Sequence, residues 1–322
     1  MSAPSQHVRL ALVGAGRMGV THIEAIGGAT GVTLSAVVDP SEAARARASD
    51  LAGGVASFAD LDAAIDAGAL DAVLIAAPST LHRGLVTTCA QRGLPMLCEK
   101  PCGTTVVEID AAAAAATAAG VILQVGYWRR YVPGLIELRE TIAAGGLGEI
   151  SLVSCWQWDA NPASPEFRAA SGGITIDMGV HEFDQIRWLT GQELGTSAMT
   201  ASSVTSVAAV PGDVESAAIL AALSGGAVAF ISLGRHFPHG DCVWVEVMGT
   251  RGHVRQQVLW GEAGDAVFHA ALRAQVEDFA RQVRGGQAGS GASASDARAA
   301  LGAAEQAQQS LQRAHASAPG AQ

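Results

Sequence analysis

The chain has 322 residues, roughly twice the ~150 residues of one domain, and so predicts two compact units. With 49% hydrophobic and 16% charged residues, it is not a largely disordered protein. Thirty acidic against twenty basic side chains give a net charge of −10, which argues against nucleic acid or an anionic membrane as a partner.

The first 127 residues alternate short β-branched runs with helical stretches, the pattern of a parallel sheet wrapped by helices. Strands are predicted at Val8–Val13, Leu34–Asp39, Ala72–Ala77, Met96–Cys98 and Ile122–Tyr127. Helices are predicted at Met18–Ala29, Ser41–Ala52, Asp60–Ala67, Thr80–Arg92 and the alanine-rich Val106–Ala119. The pattern then changes. A helix near Gly134–Ala144 and a strand at Ile150–Trp158 precede a loop to Gly173 and a helix from about Asp177 to Leu189. Runs at Ala198–Val207, Glu215–Leu223, Ala227–Leu233, Val243–Met248 and His253–Val258, joined by glycine-rich turns, read as a largely antiparallel sheet. Helices near Ala270–Val283 and Ala297–Arg313 close the chain, separated by a mobile Gly/Ala/Ser connector at Gly285–Ser295.

The expected fold is therefore α/β. A doubly wound Rossmann domain over residues 1–127 is followed by an α+β domain over 128–322 with a large, mostly antiparallel open sheet; the last helices are candidates to pack back on the first domain. Five cysteines, an odd number without zinc-type pairing, read as reduced thiols of a cytoplasmic protein. The early apolar run Leu10 to Val13 is too short for the core of a signal peptide, and the tract Ala217 to Leu233 is broken by Ser224-Gly225-Gly226, which suits a hairpin better than a membrane span.

Gly14-Ala15-Gly16-Arg17-Met18-Gly19 is a G-x-G-x-x-G loop between a strand and a helix, the arrangement that lets a dinucleotide pyrophosphate approach the backbone at a helix N-terminus. Asp39 ends the second predicted strand twenty residues past the third glycine, where a carboxylate accepts from the ribose hydroxyls of NAD and repels the 2′-phosphate of NADP. Asp39 could instead simply cap the helix that follows. NAD is the expected cofactor, with NADP disfavoured.

Further segments accompany the glycine loop and His22 in order: Ala77-Pro78-Ser79-Thr80-Leu81-His82, Cys98-Glu99-Lys100-Pro101, Tyr127-Trp128-Arg129-Arg130, and Gly172-Gly173 leading to Asp177-Met178-Gly179-Val180-His181-Glu182-Phe183-Asp184. With them the chain resembles the Gfo/Idh/MocA oxidoreductases, the family of inositol and glucose–fructose dehydrogenases, over nearly its whole length. The resemblance implies NAD(P)-dependent oxidation of a sugar or polyol hydroxyl. It places Ala77, Pro78, His82, Glu99 and Lys100 beside the cofactor, together with Gly14, Gly16, Arg17, Met18, Gly19 and Asp39, and it places Trp128 and Arg129 near the substrate.

Oxidising a secondary alcohol needs a group that takes the hydroxyl proton and a cation that stabilises the developing alkoxide. Lys100 follows a strand and precedes Pro101, which aims it toward the carboxyl ends of the strands. Asp177, His181 and Asp184 are spaced i, i+4, i+7, so on one helix they share a face, continued by Trp188. His181 is the expected proton acceptor, Asp177 its orienter or a ligand of a neighbouring hydroxyl, and Lys100 the hydrogen-bond donor to the reacting oxygen, although as two coupled groups Lys100 and His181 can divide the proton transfer either way. Asp184 joins them as a substrate contact. No cysteine pairing or His-Glu-x-x-His pattern accompanies this trio, and no metal is expected. Arg129 and Arg130 suit either a phosphate group on the substrate or salt bridges. Trp156 and Trp158, i and i+2 on a strand, read as packing residues.

Inositol dehydrogenases often carry Tyr-Gly-Tyr where this chain has His239-Gly240-Asp241, so His239 and Asp241 are either substitute polyol contacts or ordinary loop residues. Gln275 stands where an acidic residue is common. The expected activity is NAD-dependent oxidation of an inositol or sugar-like polyol; a biosynthetic sugar ketoreductase and a catalytically silent NAD-binding regulator are the alternatives. A homo-oligomer, dimer or tetramer, formed through the open sheet is expected.

Overall fold

The computed structural model describes residues 7–68, 70–202, 210, 213–261, 263–287 and 289–316. In chain order these form β1 (Val8–Val13), α1 (Arg17–Ile26), β2 (Val32–Val38), α2 (Glu42–Leu51), β3 (Ala56–Phe58), α3 (Leu61–Asp66), β4 (Ala72–Ile75), α4 (Ser79–Gln91), β5 (Met96–Cys98), α5 (Val106–Ala119) and β6 (Leu123–Val125). Next come α6 (Pro133–Ala143), β7 (Ile150–Trp158), α7 (Pro165–Ala170), α8 (Val180–Thr190), β8 (Leu194–Ser202), β9 (Ser216–Leu223), β10 (Val228–Gly234), β11 (Cys242–Gly249) and β12 (His253–Trp260). The chain closes with α9 (Ala263–Val283), β13 (Ala292–Ser293) and α10 (Ala294–Ala316). The part of the expected strand Ala198–Val207 beyond residue 202 lies outside the described residues.

The chain divides into two compact units, Met1–Tyr131 with His269–Ala297, and Val132–Phe268 with Arg298–Gln322. Residues 128–322 are therefore not one unit. Most of α9 and the connector after it cluster with the first unit, and most of α10 with the second.

The first unit holds a seven-stranded sheet in the order β13-β6-β5-β4-β1-β2-β3. All its strand pairs are parallel except β13 with β6. β1 and β4 are buried along nearly their whole length, as central strands covered on both faces must be. From β1 the chain winds outward to β2 and β3, and from β4 the other way to β5 and β6, so the winding reverses between β1 and β4. Such a switch point opens a crevice at the carboxyl ends of the strands, where open α/β sheets bind ligands.

One core cluster joins Leu10, Leu12, Leu34, Val37 and Leu74 of the strands to Ile23 and Ile26 of α1 and to Val276, Phe279 and Ala280 of α9. Polar ties hold α9 there as well. Glu277 accepts from the Thr30 N–H at 2.7 Å, and the Arg273 Nε–H donates to the Ala25 carbonyl at 3.3 Å. The Gly285–Ser295 connector is more ordered than its composition predicts, because Ala292 and Ser293 add an antiparallel edge strand to β6.

In the second unit, β12-β11-β7-β10-β9-β8 form a six-stranded sheet, antiparallel except for β7 with β10. β9 alternates buried and exposed along its length, so the sheet has a covered and an open face. Helix α8 lies on the covered face, where the Gln185 side-chain amide donates to Cys155 Sγ at 3.5 Å. The open face carries an aromatic row. Trp156 stacks on Trp244 at 5.0 Å between centroids, with Phe230 5.3 Å from Trp156 and Trp260 6.1 Å from Trp244.

Phe279→Ala removes a fully buried ring from the first unit's core. It should destabilise that unit by about 3–5 kcal/mol and weaken NAD binding in parallel, as read by denaturant unfolding and cofactor titration.

Candidate active site

The glycine loop lies at the carboxyl end of β1. Gly14 has φ +99°, and a Cβ there would fall 2.6 Å from the Ala76 carbonyl oxygen and the Ala77 nitrogen, so only glycine allows the loops after β1 and β4 to touch. A Cβ on Gly19 would lie 2.0 Å from the Gly14 carbonyl oxygen, which brings α1 hard against the loop. Gly16 differs, since a Cβ there would meet nothing within 4 Å. The fold itself makes no steric demand for glycine at that position.

The helix ends agree. α2, α3 and α5 are capped by the side chains of Ser41, Asp60 and Thr105, whereas α1 and α4, which start beyond the ends of β1 and β4, have no side-chain cap. Two helix N-termini thus present backbone N–H groups at the switch point, as a pyrophosphate requires. Exposed Arg17 and half-buried Met18 open α1.

Ser41 caps α2, and Asp39 instead bridges two backbone segments. Its Oδ1 accepts from the Ser41 N–H at 2.8 Å, while Oδ2 accepts from the Ala15 N–H at 2.8 Å, tying the glycine loop to the end of β2. Each oxygen keeps acceptor capacity for ribose hydroxyls. The residues present fit NAD: Gly16 and the α1 and α4 N-termini would hold the pyrophosphate, and Asp39 the adenine ribose.

His82 is held by backbone on both sides of its ring. Its buried ring lies with Nε2 2.8 Å from the Ala77 carbonyl and Nδ1 2.8 Å from the Pro101 carbonyl. Both nitrogens face backbone, so the ring braces the loops carrying Ala77, Pro78 and Lys100.

Glu99 and Lys100 follow β5, the next strand of the crevice. The buried Glu99 carboxylate lies 2.7 Å from His22 Nε2 through Oε1, and Oε2 accepts from the Lys100 N–H at 3.1 Å. Burial pushes the Glu99 carboxyl upward, but the hydrogen bond and charge of His22, reinforced by Lys100, outweigh it and leave Glu99 below the usual carboxylate range. The Lys100–Pro101 peptide is cis. Past β6, Trp128 to Tyr131 form a buried 3-10 turn in which the Arg129 guanidinium lies 5.7 Å from the Trp128 ring centroid. Arg130 forms an ion pair with Asp296 at 3.4 Å.

In the second unit, Asp177 lies in a π-helical turn, Thr175–Gly179, that runs directly into α8. The helix expected from Asp177 is thus wound more loosely at its start, which rotates Asp177 relative to His181 and Asp184. His181, Asp184 and Trp188 are buried. Asp177 Oδ2 accepts from the Arg235 Nη1–H at 3.0 Å. His239 and Asp241 fall on the loop between β10 and β11, where His239 packs on Phe237 at 5.4 Å and Asp241 accepts from the Ala160 N–H at 2.6 Å. Both side chains are exposed and shape the loop. Arg235 had no sign in the local pattern except its abrupt charge after an apolar strand. Among the described residues, no group of three His, Cys, Asp or Glu side chains is placed to hold a metal ion.

A sequence profile described as an oxidoreductase family with an NAD-binding Rossmann fold matches residues 8–127, and the profile of the GFO/IDH/MocA C-terminal domain matches residues 135–255. The chain belongs to the Gfo/Idh/MocA oxidoreductase family. It is an NAD-binding enzyme of the kind that acts on CH–OH groups. A Rhizobium meliloti protein named for rhizopine catabolism, MocA, is 50% identical over 306 residues, 95% of each chain. The myo-inositol dehydrogenase Hyg17 of Streptomyces leeuwenhoekii is 32% identical over 302 residues, covering 87% of this chain and 89% of the relative. A solved myo-inositol 2-dehydrogenase from Lactobacillus plantarum matches with a TM-score of 0.84 and 28% identity, over 96% of this chain and 98% of that one.

Gly16→Val should leave thermal stability nearly unchanged yet weaken NAD by about 10- to 100-fold in a fluorescence titration, the loss of one charged hydrogen bond, whereas Gly19→Ala should lower stability itself. Because Glu99 sits below its unfolded range, its contribution is present at neutral pH and lost as pH falls through the acid range. Glu99→Gln should therefore lower stability at neutral pH and flatten this limb in denaturant melts run across pH.

Proposed function

We propose that the chain oxidises a secondary hydroxyl of an inositol or similar unphosphorylated polyol. The observation that carries this reading is the placement of Lys100, which leaves β5 at the cofactor crevice with its own N–H held by the buried Glu99 carboxylate. The names of the inositol dehydrogenase relatives support the substrate class. Bound at the glycine loop, NAD supplies a hydride acceptor at nicotinamide C4.

The remaining work falls to the chain. The His181 imidazole accepts the hydroxyl proton, since an ordinary imidazole titrates near ~6.5 and exchanges protons readily near neutrality. The Lys100 ammonium donates a hydrogen bond to the same oxygen and stabilises its developing negative charge. Asp177 orients His181 or a neighbouring hydroxyl, and Asp184 accepts from another. Trp128 offers a flat apolar surface to the C–H face of a ring, and Arg129 a fork of donors to its hydroxyls. The carbinol would lose its proton to His181 and its hydride to the bound NAD, leaving a ketone.

A screen of inositols, aldoses and other polyols with NAD, followed by NADH absorbance, tests the reading directly. Turnover of a cyclitol is expected. Lys100→Met and His181→Ala should each lower kcat by about 100-fold or more while NADH still binds. Cofactor binding with no turnover across the screen would reject it.

The five free cysteines suit a reducing compartment, and we infer a cytoplasmic location. We also infer a homo-oligomer in which a second copy covers the open sheet face. Its support is the aromatic row of Phe230, Trp156, Trp244 and Trp260 on four adjacent strands, flanked by exposed Leu220, Val228 and Met248. Trp244→Asp should yield smaller particles in analytical ultracentrifugation, with NAD affinity retained.

A further inference from the structure

Four charged side chains of the second unit alternate in sign along one connected path. Arg168 Nε–H donates to Asp213 Oδ2 at 2.8 Å. Asp213 meets Arg235 twice, its Oδ1 accepting from Nη2–H at 3.0 Å and its Oδ2 lying 2.8 Å from Nε. Arg235 Nη1–H then donates to Asp177 Oδ2 at 3.0 Å.

The path is buried. The Arg235 side chain is 1% exposed, that of Asp213 1%, and that of Arg168 4%, whereas Asp177 at the end is 14% exposed. The four residues come from separate places: the short helix α7, the segment before β9, the residue after β10, and the π-helical turn before α8. A lone buried guanidinium is costly, and a planar fork matched to a carboxylate on one edge and a second carboxylate beyond it is the geometry that offsets the cost.

We propose that Arg235 is a positioning residue for Asp177, and that Asp213 and Arg168 hold Arg235 in the orientation that does so. The inference rests on the reading of Asp177 as a residue that orients His181 or the substrate. The π-helical turn that carries Asp177 departs from the register of the α-helix it runs into, and the Asp177 carboxylate is tethered from outside the turn. Arg235 supplies that tether through Oδ2. The two edges of the guanidinium divide the labour, one facing Asp213 and the other Asp177. A lysine carries the same charge but is a point donor that cannot span both carboxylates with fixed geometry.

The test uses the full-length protein and two variants, Arg235→Lys and Arg235→Ala, with circular dichroism to establish folding and NADH titration to report the first unit. With myo-inositol and NAD, Arg235→Lys should lose about 100-fold in kcat with KM for NAD unchanged, the cost of displacing an oriented group by about 1 Å. Guanidinium added to Arg235→Ala at a non-denaturing concentration should restore part of kcat. Unchanged kcat in folded Arg235→Lys overturns the proposal, as does a loss in which NADH binding falls in step with turnover.

A second arm is independent of activity. In crystal structures, Asp177 should keep one side-chain orientation in the wild type and depart from it in Arg235→Lys; an unmoved Asp177 in that variant overturns the proposal. Should the wild type oxidise no polyol, the functional reading fails, while this arm still decides the role of Arg235.

Discussion

A single buried carboxylate organises the cofactor half of the molecule. Glu99 stands at the end of β5, and its two oxygens engage His22 of α1 and the N–H of Lys100. An uncompensated charge at that depth costs several kcal/mol, so the pair persists because His22 and Lys100 outweigh burial. The consequence is mechanical. The helix that begins at the glycine loop and the backbone of Lys100 are held to one anchor, so the glycine loop and Lys100 share a frame.

The same logic recurs locally around the crevice. Asp39 ties the glycine loop to the end of β2, and His82 bridges the loops after β4 and β5 through the carbonyls of Ala77 and Pro101. Polar side chains thereby replace the regular ladder hydrogen bonds that end where the strands end. The second unit answers with the Arg168–Asp213–Arg235–Asp177 path, again fastening segments that no sheet or helix register fixes. In both units the regular structure sets the platform, and buried charge sets the direction of the side chains on it.

What the sequence disclosed follows the range of the interactions involved. β1, β5, β7 and α5 have the residue limits expected from pattern, because alternation, apolar runs and alanine propensity act within a few residues. The glycine loop was equally legible, its three glycines acting on neighbours in the same turn. β3 and β13 escaped, being three and two residues long and formed only because a parent strand offers an edge. α7 was covered by an expected loop although Ser164 caps it and Pro165 opens it, and the π-helical turn leaves no trace in composition. The role of Arg235 was hidden for a related reason, its abrupt charge after an apolar strand naming no partner. Its partners Asp213 and Asp177 lie 22 and 58 residues away, and no local pattern encodes such a meeting. His239 and Asp241, by contrast, were singled out by the family resemblance alone.

The proposed reaction requires that the Lys100 ammonium and the His181 imidazole serve one carbinol. A crystal structure of the ternary complex with NADH and myo-inositol measures this most directly. The account predicts Lys100 Nζ and a nitrogen of His181 both within hydrogen-bond distance of one ring hydroxyl oxygen, whose carbon faces nicotinamide C4. A complex in which either side chain points away from that oxygen would contradict it.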